Sequence, residues 1–305
     1  MVKKQKREKI KIKRSDAMFD AVTVVILAFL LIVTAYPIWF VLIASISDPV
    51  KVNIGEVVLW PKNITLEGYK KVLQYNKLWI GYRNTIIYCI VHMAMAVSVR
   101  MMAGYAMSRK DLVGKGAITV FFVITMYFGG GLIPTYLILK SLHMTGQPFV
   151  VLLFGVANVG NIIVCRTFIQ SSIPEELYEA AVMDGCSHTN YFLRVVLPLS
   201  KAILVIFVLF SVVSQWNSWY GHMIYLNEEN QMPLQMFLRD ILVKQTALSE
   251  FLGAGGNETE MQNQAMLAES MKYAIIVVST LPIMCVYPFL QKYFVKGMMV
   301  GSVKG

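Results

Sequence analysis

Charge is scarce in this 305-residue sequence: Asp, Glu, Lys and Arg make up 15% of it, against 56% hydrophobic residues. Soluble domains average about 25% charged and about 45 to 50% apolar residues, so an ordinary water-soluble globule is excluded. The composition fits a chain that crosses a membrane several times. Cysteine is also sparse: Cys89, Cys165 and Cys285 lie in apolar runs and Cys186 in a polar stretch, with no CxxC pair. Neither a disulfide framework nor a cysteine metal knuckle is available. His92, His143, His188 and His222 stand apart, no HExxH pattern occurs, and no metal site is expected. A GxSxG elbow is missing and no nucleophile stands beside a base, which argues against a membrane enzyme. There is also no GxxxxGK[ST] loop to cradle phosphates, since Gly297 to Gly301 supplies glycines without the Lys-Ser/Thr that should follow. Nucleotide, if the chain uses it, must bind elsewhere.

The charge that is present is uneven. Residues 1–14 hold eight Lys/Arg against Glu8, a large share of the formal +10. No aromatic residues interleave with them, so no nucleic-acid partner is expected. The positive-inside rule instead puts this tail, residues 1–17, in the cytoplasm. The first apolar run is too long for a signal-peptide core and lacks an A-x-A-like cleavage site, so it should remain as a span.

Six segments reach the ~20 apolar residues that a crossing helix needs: Met18 to Ile46, Tyr82 to Met107, Gly116 to Leu139, Pro148 to Ile169, Leu199 to Leu226 and Met271 to Phe294. The expected fold class is an all-α polytopic membrane protein. One transmembrane domain covers residues 18–294, and a basic tail, 295–305, returns to the cytoplasm. Arg109, Lys110, Lys115, Arg194, Lys201, Lys292, Lys296 and Lys304 fall in or beside the inner connectors, as that threading requires. Arg100, near the cytoplasmic end of the second span, is expected to snorkel to the interface. Gly129-Gly130-Gly131 and Pro134 interrupt the third run, marking either a gate or pore lining or a close helix contact.

Two segments read as external. Asp48 to Ile80 carries Trp60, Tyr69, Tyr75 and Trp79, suited to a membrane interface, and Asn227 to Ser270 has seven acids against Arg239 and Lys244. Within this outer loop, 227–270, Pro233 to Val243 has apolar residues at helical spacing, followed by Gly253-Ala254-Gly255-Gly256.

Between the fourth and fifth spans lies a polar interruption, residues 171–198. Ser172 with Glu175 reads as a capping box, Pro174 fits a first helical turn, and Glu175, Glu176 and Glu179 favour the positive helix end. Gly185 is expected to close this short helix, a second should run from about His188 to Val196, and Pro198 should kink the way into the next span. Leu177, Ala180 and Ala181 form a patch too small to sustain itself, so it needs a partner. An amphipathic loop helix lying on the membrane surface is the plainer alternative.

Polar groups inside apolar runs are costly and usually face a cavity or another helix. Asn158 and Asn161 fall near the middle of the fourth run. Ser211, Ser214, Gln215, Trp216 and Asn217 fall in the fifth, beside Trp219 and Tyr220. Amides and aromatic faces suit a polyhydroxylated solute, while interhelical hydrogen bonding explains the same residues structurally.

Glu179-Ala180-Ala181, Gly185 after three further residues, and then Leu197-Pro198 resemble the EAA motif of ATP-binding-cassette importer permeases. The stretch Ile173 to Gly185 is similar to the MalG-like carbohydrate-uptake branch of that family, as are Ala103 to Arg109 and the tail Tyr293 to Gly305. The resemblance implies six transmembrane helices with a cytoplasmic EAA coupling-helix loop between the fourth and fifth. It implies a bacterial cytoplasmic membrane location and a heterodimer with a second permease subunit. Two ATPase subunits would hold ATP and Mg, this chain would bind no cofactor, and an extracytoplasmic solute-binding protein, often a lipoprotein, would deliver a sugar or oligosaccharide.

On that resemblance Glu175, Leu177, Glu179, Ala180, Ala181, Asp184 and Gly185 couple to the ATPase. Asn158, Asn161, Ser211, Ser214, Gln215, Trp216 and Asn217 are candidates for the substrate path, and Gly253, Gly255, Gly256 and Asn257 for contact with the binding protein. A permease for a non-sugar solute is the alternative within the family. A polytopic enzyme or receptor acting alone is the alternative outside it.

Overall fold

Asn76–Ser108 is a single helix of 33 residues and the axis of the structure, a computed structural model that describes residues 14–253, 271–286 and 288. At 1.5 Å per residue it is about 50 Å long, more than a bilayer's hydrocarbon core. Buried positions from Leu78 through Ala96 to Met101 run along it, and Val159–Ser172, Lys201–Trp216 and Leu234–Gly253 pack against it. Every regular element among the described residues is helical.

Small residues set how closely these helices approach. A Cβ on Gly104 would lie 2.5 Å from Cβ and Sγ of Cys165, and one on Gly81 would lie 3.1 Å from Cα of Leu234. Two apolar clusters result. One, at the Ser108 end, joins Met101, Tyr105, Cys165, Ile169, Tyr191 and Phe207. The other, at the Asn76 end, joins Val72, Leu78, Trp216, Leu234, Phe237 and Ile275.

The amino-terminal helix, Arg14–Ser45, is apolar all round and buried only in its last turns, where Ile43 and Ala44 meet Val52 and Val57 and Phe40 meets Tyr273 edge-on. A helix hydrophobic on every face needs lipid or a partner helix around it.

The six expected spans differ in continuity among the described residues. Two helices, Met18–Ser45 and Asn76–Ser108, are long and apolar enough to cross a membrane, or up to four if each sharply bent pair counts as one span. The third run is broken into Lys115–Tyr127 and Leu132–Ser141, 111° apart, with Gly131 at φ +79°. That break was expected from the three glycines. The fourth is broken into Pro148–Leu153 and Val159–Ser172 by a non-helical segment in which Gly155 has φ +76°. At the entry to the fifth, His188–Leu199 meets Lys201–Trp216 at 81°, the kink expected at Pro198, with Phe192–Val196 wound as a π-helix before it. The fifth run itself is interrupted between Lys201–Trp216 and Tyr220–Tyr225. The last run is helical over Met271–Val286, and its expected continuation to Phe294 lies outside the described residues apart from Pro288.

Breaks expose backbone that lipid cannot satisfy. At the break in the fourth run, side chains of the central helix supply partners. With its proton on Nδ1, His92 donates to the Leu152 carbonyl at 2.8 Å. Arg100 donates from Nε to the Val156 carbonyl at 3.1 Å and from Nη2 to the Gly155 carbonyl at 2.6 Å. At the other end Asn84 Nδ2 donates to the Asn230 and Met232 carbonyls at 2.7 and 3.1 Å, and Tyr88 to the Gln231 carbonyl at 2.9 Å. Thr85 Oγ1 accepts from the Leu234 amide at 2.9 Å, and Tyr82 donates to the Val278 carbonyl. Arg100 is 4% exposed, so the expected snorkelling does not occur: broken backbone within reach holds the guanidinium more tightly than an interface several residues away.

Gly104→Val should force the central helix away from Val159–Ser172, because the clashing atoms belong to a short, buried cysteine side chain. Destabilisation of about 1 to 3 kcal/mol is expected for such overpacking. A thermal unfolding scan of the detergent-solubilised protein checks it, with Gly116→Val, at a site open to 4 Å, as the control expected to unfold like the parent.

Candidate functional site

Glu175–Met183 forms the short helix expected in the polar interruption, but its start differs from the expected capping box. Ser172 closes the preceding helix, Pro174 is the N-cap, and no side chain caps the first turn. Proline's fixed φ and missing donor make a sharp entry without that help. The exit follows the expectation. Gly185 has φ +71°, its amide donates to the Val182 carbonyl at 2.9 Å, and the Cys186 amide donates to the Ala181 carbonyl at 2.8 Å. This is the paired pattern of a glycine-closed helix end.

One face of this elbow is fixed to its own chain. The Arg109 guanidinium lies 3.3 Å from the centre of the Tyr178 ring, with Nη1 3.4 Å from Glu175 Oε1 and Nε 3.2 Å from Asp111 Oδ1. Lys110 Nζ is 3.7 Å from Glu175 Oε2. The exposed ion pairs add little alone, whereas a partly desolvated cation over an aromatic ring contributes on the order of 1 to 2 kcal/mol. Tyr178 also meets Tyr191 edge-on and stacks on His188, and Tyr105 packs beside Tyr191 and Phe192. Burial pushes the Tyr191 phenol above its usual pKa. Behind the elbow a cavity of about 470 Å³ lies among Tyr105, Arg109, Gln170 and Glu175.

The opposite face is open. Leu177 is 43% exposed and Met183 87%, with Glu176, Glu179, Ala180, Val182 and Asp184 exposed around them. The expected Leu177, Ala180 and Ala181 patch is thus divided, because Ala181 turns inward against the core while Leu177 and Ala180 face out. Val182 and Met183 extend the outer patch. Glu175 is held inward by Arg109 and Lys110. Sequence reasoning misses Arg109 and Tyr178 as site residues, although Arg109 ends one of the stretches that carry the family resemblance.

A second candidate lies near the middle of the central helix. A cavity of about 440 Å³ is lined by residues including His92, Thr135, Gly155, Ser214, Gln215, Ser218 and Tyr220. Of the expected path residues, Ser214 and Gln215 line it. The others are placed elsewhere. Asn158 is not mid-helix but the N-cap of Val159–Ser172, accepting from the Asn161 amide at 3.0 Å. Ser211 Oγ accepts from Arg100 Nη1 at 3.0 Å. Trp216 Nε1 donates to the Ser279 carbonyl at 3.1 Å, and Asn217 Nδ2 to the Val213 carbonyl at 2.8 Å. Position in an apolar run identified polar residues but not the direction each faces, and His92, Thr135 and Ser218 carried no signal separating them from packing residues.

Gly253 ends the helix Leu234–Gly253, while Gly255, Gly256 and Asn257 lie outside the described residues. Among the described residues no group of three or more His, Cys, Asp or Glu is placed to hold a metal ion.

Residues 81–221, from the central helix through the elbow to the cavity wall, match the family described as the binding-protein-dependent transport system inner membrane component. The chain is 33% identical to protein LplC of Bacillus subtilis (strain 168), with 96% of this chain and 97% of LplC covered. It is 32% identical to the polygalacturonan/rhamnogalacturonan transport system permease protein YtcP of the same organism, with 95% and 99% covered. Among solved structures it is similar, at TM-score 0.84 and 31% identity, to a chain in the crystal structure of a bacterial ABC transporter involved in the import of the acidic polysaccharide alginate; 94% of this chain and 100% of that one are covered. In sequence over nearly its whole length, and in fold, the chain belongs to the family of inner-membrane components of binding-protein-dependent transport systems.

Proposed function

We propose that the chain is one membrane-spanning permease subunit of an ATP-driven sugar importer of the bacterial cytoplasmic membrane. It pairs with a second permease subunit, two ATPase subunits that hold ATP and Mg, and an extracytoplasmic binding protein. The observation that carries this reading is the two-sided elbow: Glu175–Met183 is anchored from behind by Arg109 and presents Leu177, Ala180 and Met183 outward. A short helix with an unfilled apolar face, rigid on its inner side, suits a part that receives force from a separate subunit. Family membership supports the same assignment, as does similarity to proteins named for polygalacturonan/rhamnogalacturonan and arabinooligosaccharide transport.

In this reading Glu179, Ala180, Leu177 and Asp184 meet the ATPase, Gly185 sets the exit angle, and Glu175 holds the elbow to Arg109. Closure of the ATPase pair pushes the elbow. The push passes through Tyr178 and Arg109 into the end of the central helix, and the cavity at His92 opens alternately to the two sides of the membrane. Ser214, Gln215 and Ser218 offer donors and acceptors to sugar hydroxyls, and Tyr220 an aromatic face. Gly253, Gly255, Gly256 and Asn257 are proposed to meet the binding protein.

Reconstitution of the complete transporter in liposomes tests both sites. Arg109→Ala and Glu179→Lys should each leave ATP hydrolysis running while sugar uptake falls at least about tenfold, because the elbow moves without carrying the permease. Gly185→Val should act in the same direction, since it places a β-branched residue at φ +71°. Full uptake in all three would contradict the coupling role. Gln215→Leu should raise the sugar concentration needed for half-maximal uptake by about tenfold, the order expected for one lost hydrogen bond in a buried site. An unchanged concentration dependence would remove Gln215 from the path.

A further inference from the structure

Arg100 carries a charge that nothing in the described part of the chain neutralises. Its guanidinium, 4% exposed, is held by the Val156 and Gly155 carbonyls and the Ser211 hydroxyl, with the Phe207 ring centre 6.0 Å away. All of these are neutral. The sequence contains no Asp or Glu at 82–110, 112–174, 185–227 or 271–305, so the apolar runs around Arg100 offer no carboxylate. A buried cation is ordinarily paired because desolvation costs several kcal/mol. One left unpaired at membrane depth marks a functional position.

Gly155 connects this charge to the cavity. Its carbonyl accepts from Arg100, and the same residue forms part of the cavity wall. With its oxygen turned toward the guanidinium, the peptide dipole directs its positive end away from Arg100. In a low-dielectric surround such a field is weakly screened. The cavity lining itself contains no Asp, Glu, Lys or Arg to offset it.

We propose that the solute passing this cavity is a uronate-bearing oligosaccharide, and that Arg100, acting from behind the Gly155 backbone without touching the sugar, sets the preference for negative charge. This rests on the reading of the chain as a sugar importer subunit and narrows it. Arg100 is a positioning residue: it shapes the potential of the cavity and holds the broken backbone, while Ser214, Gln215 and Ser218 contact hydroxyls.

The test uses the complete transporter in liposomes, with its binding protein, supplied with labelled digalacturonate or the same disaccharide after reduction of both carboxyls to alcohols. The parent should import digalacturonate. In Arg100→Gln the ratio of acidic to neutral uptake should fall by roughly tenfold, the scale of one unscreened charge at moderate distance. Arg100→Lys keeps the charge and loses the three-way bonding, so it should be slower yet retain the ratio. The binding protein is the same throughout, so a change of ratio reports the permease.

An assembled Arg100→Gln transporter with the parental ratio overturns the proposal. Should that variant fail to assemble, a lost preference in Arg100→Lys overturns it instead. A parent that moves only the neutral sugar overturns it whatever the variants do. Transport of neither sugar, together with uptake of a non-sugar solute, would instead fail the sugar reading itself, and this inference with it.

Discussion

Backbone that leaves helical geometry inside a bilayer must find every hydrogen-bond partner within the protein. The structure is built around that constraint. The fourth expected span is broken between Leu153 and Val159, and the central helix lies beside that break with polar side chains at intervals along its length. Asn84, Thr85 and Tyr88 hold the connector at residues 230–234, His92 holds the carbonyl of Leu152, and Arg100 holds those of Gly155 and Val156. Each bond joins a side chain of the central helix to backbone, with Thr85 accepting and the others donating. The arrangement allows irregular segments to persist where a cavity requires them, at a net contribution of about 1 kcal/mol per neutral bond and more for those from a charged donor.

The same helix joins the two candidate sites. His92 lines the mid-helix cavity, and Tyr105, Ser108 and Arg109 form the seat of the elbow at the end of the helix or just beyond it. Arg109 stacked on Tyr178 fixes the elbow to that seat. A displacement of the elbow therefore has a stiff path toward the cavity, along packed aromatic rings and one continuous helix. Small residues contribute as much as polar ones, since Gly104 permits the contact with Cys165 that keeps Val159–Ser172 against the central helix.

Much of this was legible in the sequence, for identifiable reasons. The elbow was readable because glycine at position 185 has a conformational role that few other residues can fill, and Gly129-Gly130-Gly131 announced the 111° bend in the same way. The break at Gly155 was not legible: one glycine in an apolar run is compatible with an intact helix, and what stabilises the break is Arg100, more than fifty positions away in sequence. That distance also explains why Arg100 was expected at the interface. The capping box failed because Ser172 was claimed by the preceding helix, a competition that local pattern cannot arbitrate. Polar residues of the fifth run were found by composition, but separating Gln215, in the cavity, from Asn217, bonded to its own helix, required three-dimensional orientation.

The central proposal is that the outer face of Glu175–Met183 is covered by a cytoplasmic motor while its inner face is locked to the central helix. The most direct test places the sole cysteine of the chain at position 183 and treats the assembled transporter with a short thiol-to-amine cross-linker, with and without ATP. The account predicts a covalent product between this chain and the ATPase subunit, in a yield that changes with nucleotide. Labelling of that cysteine from outside intact cells, or cross-linking only to lipid and to this chain itself, would contradict it.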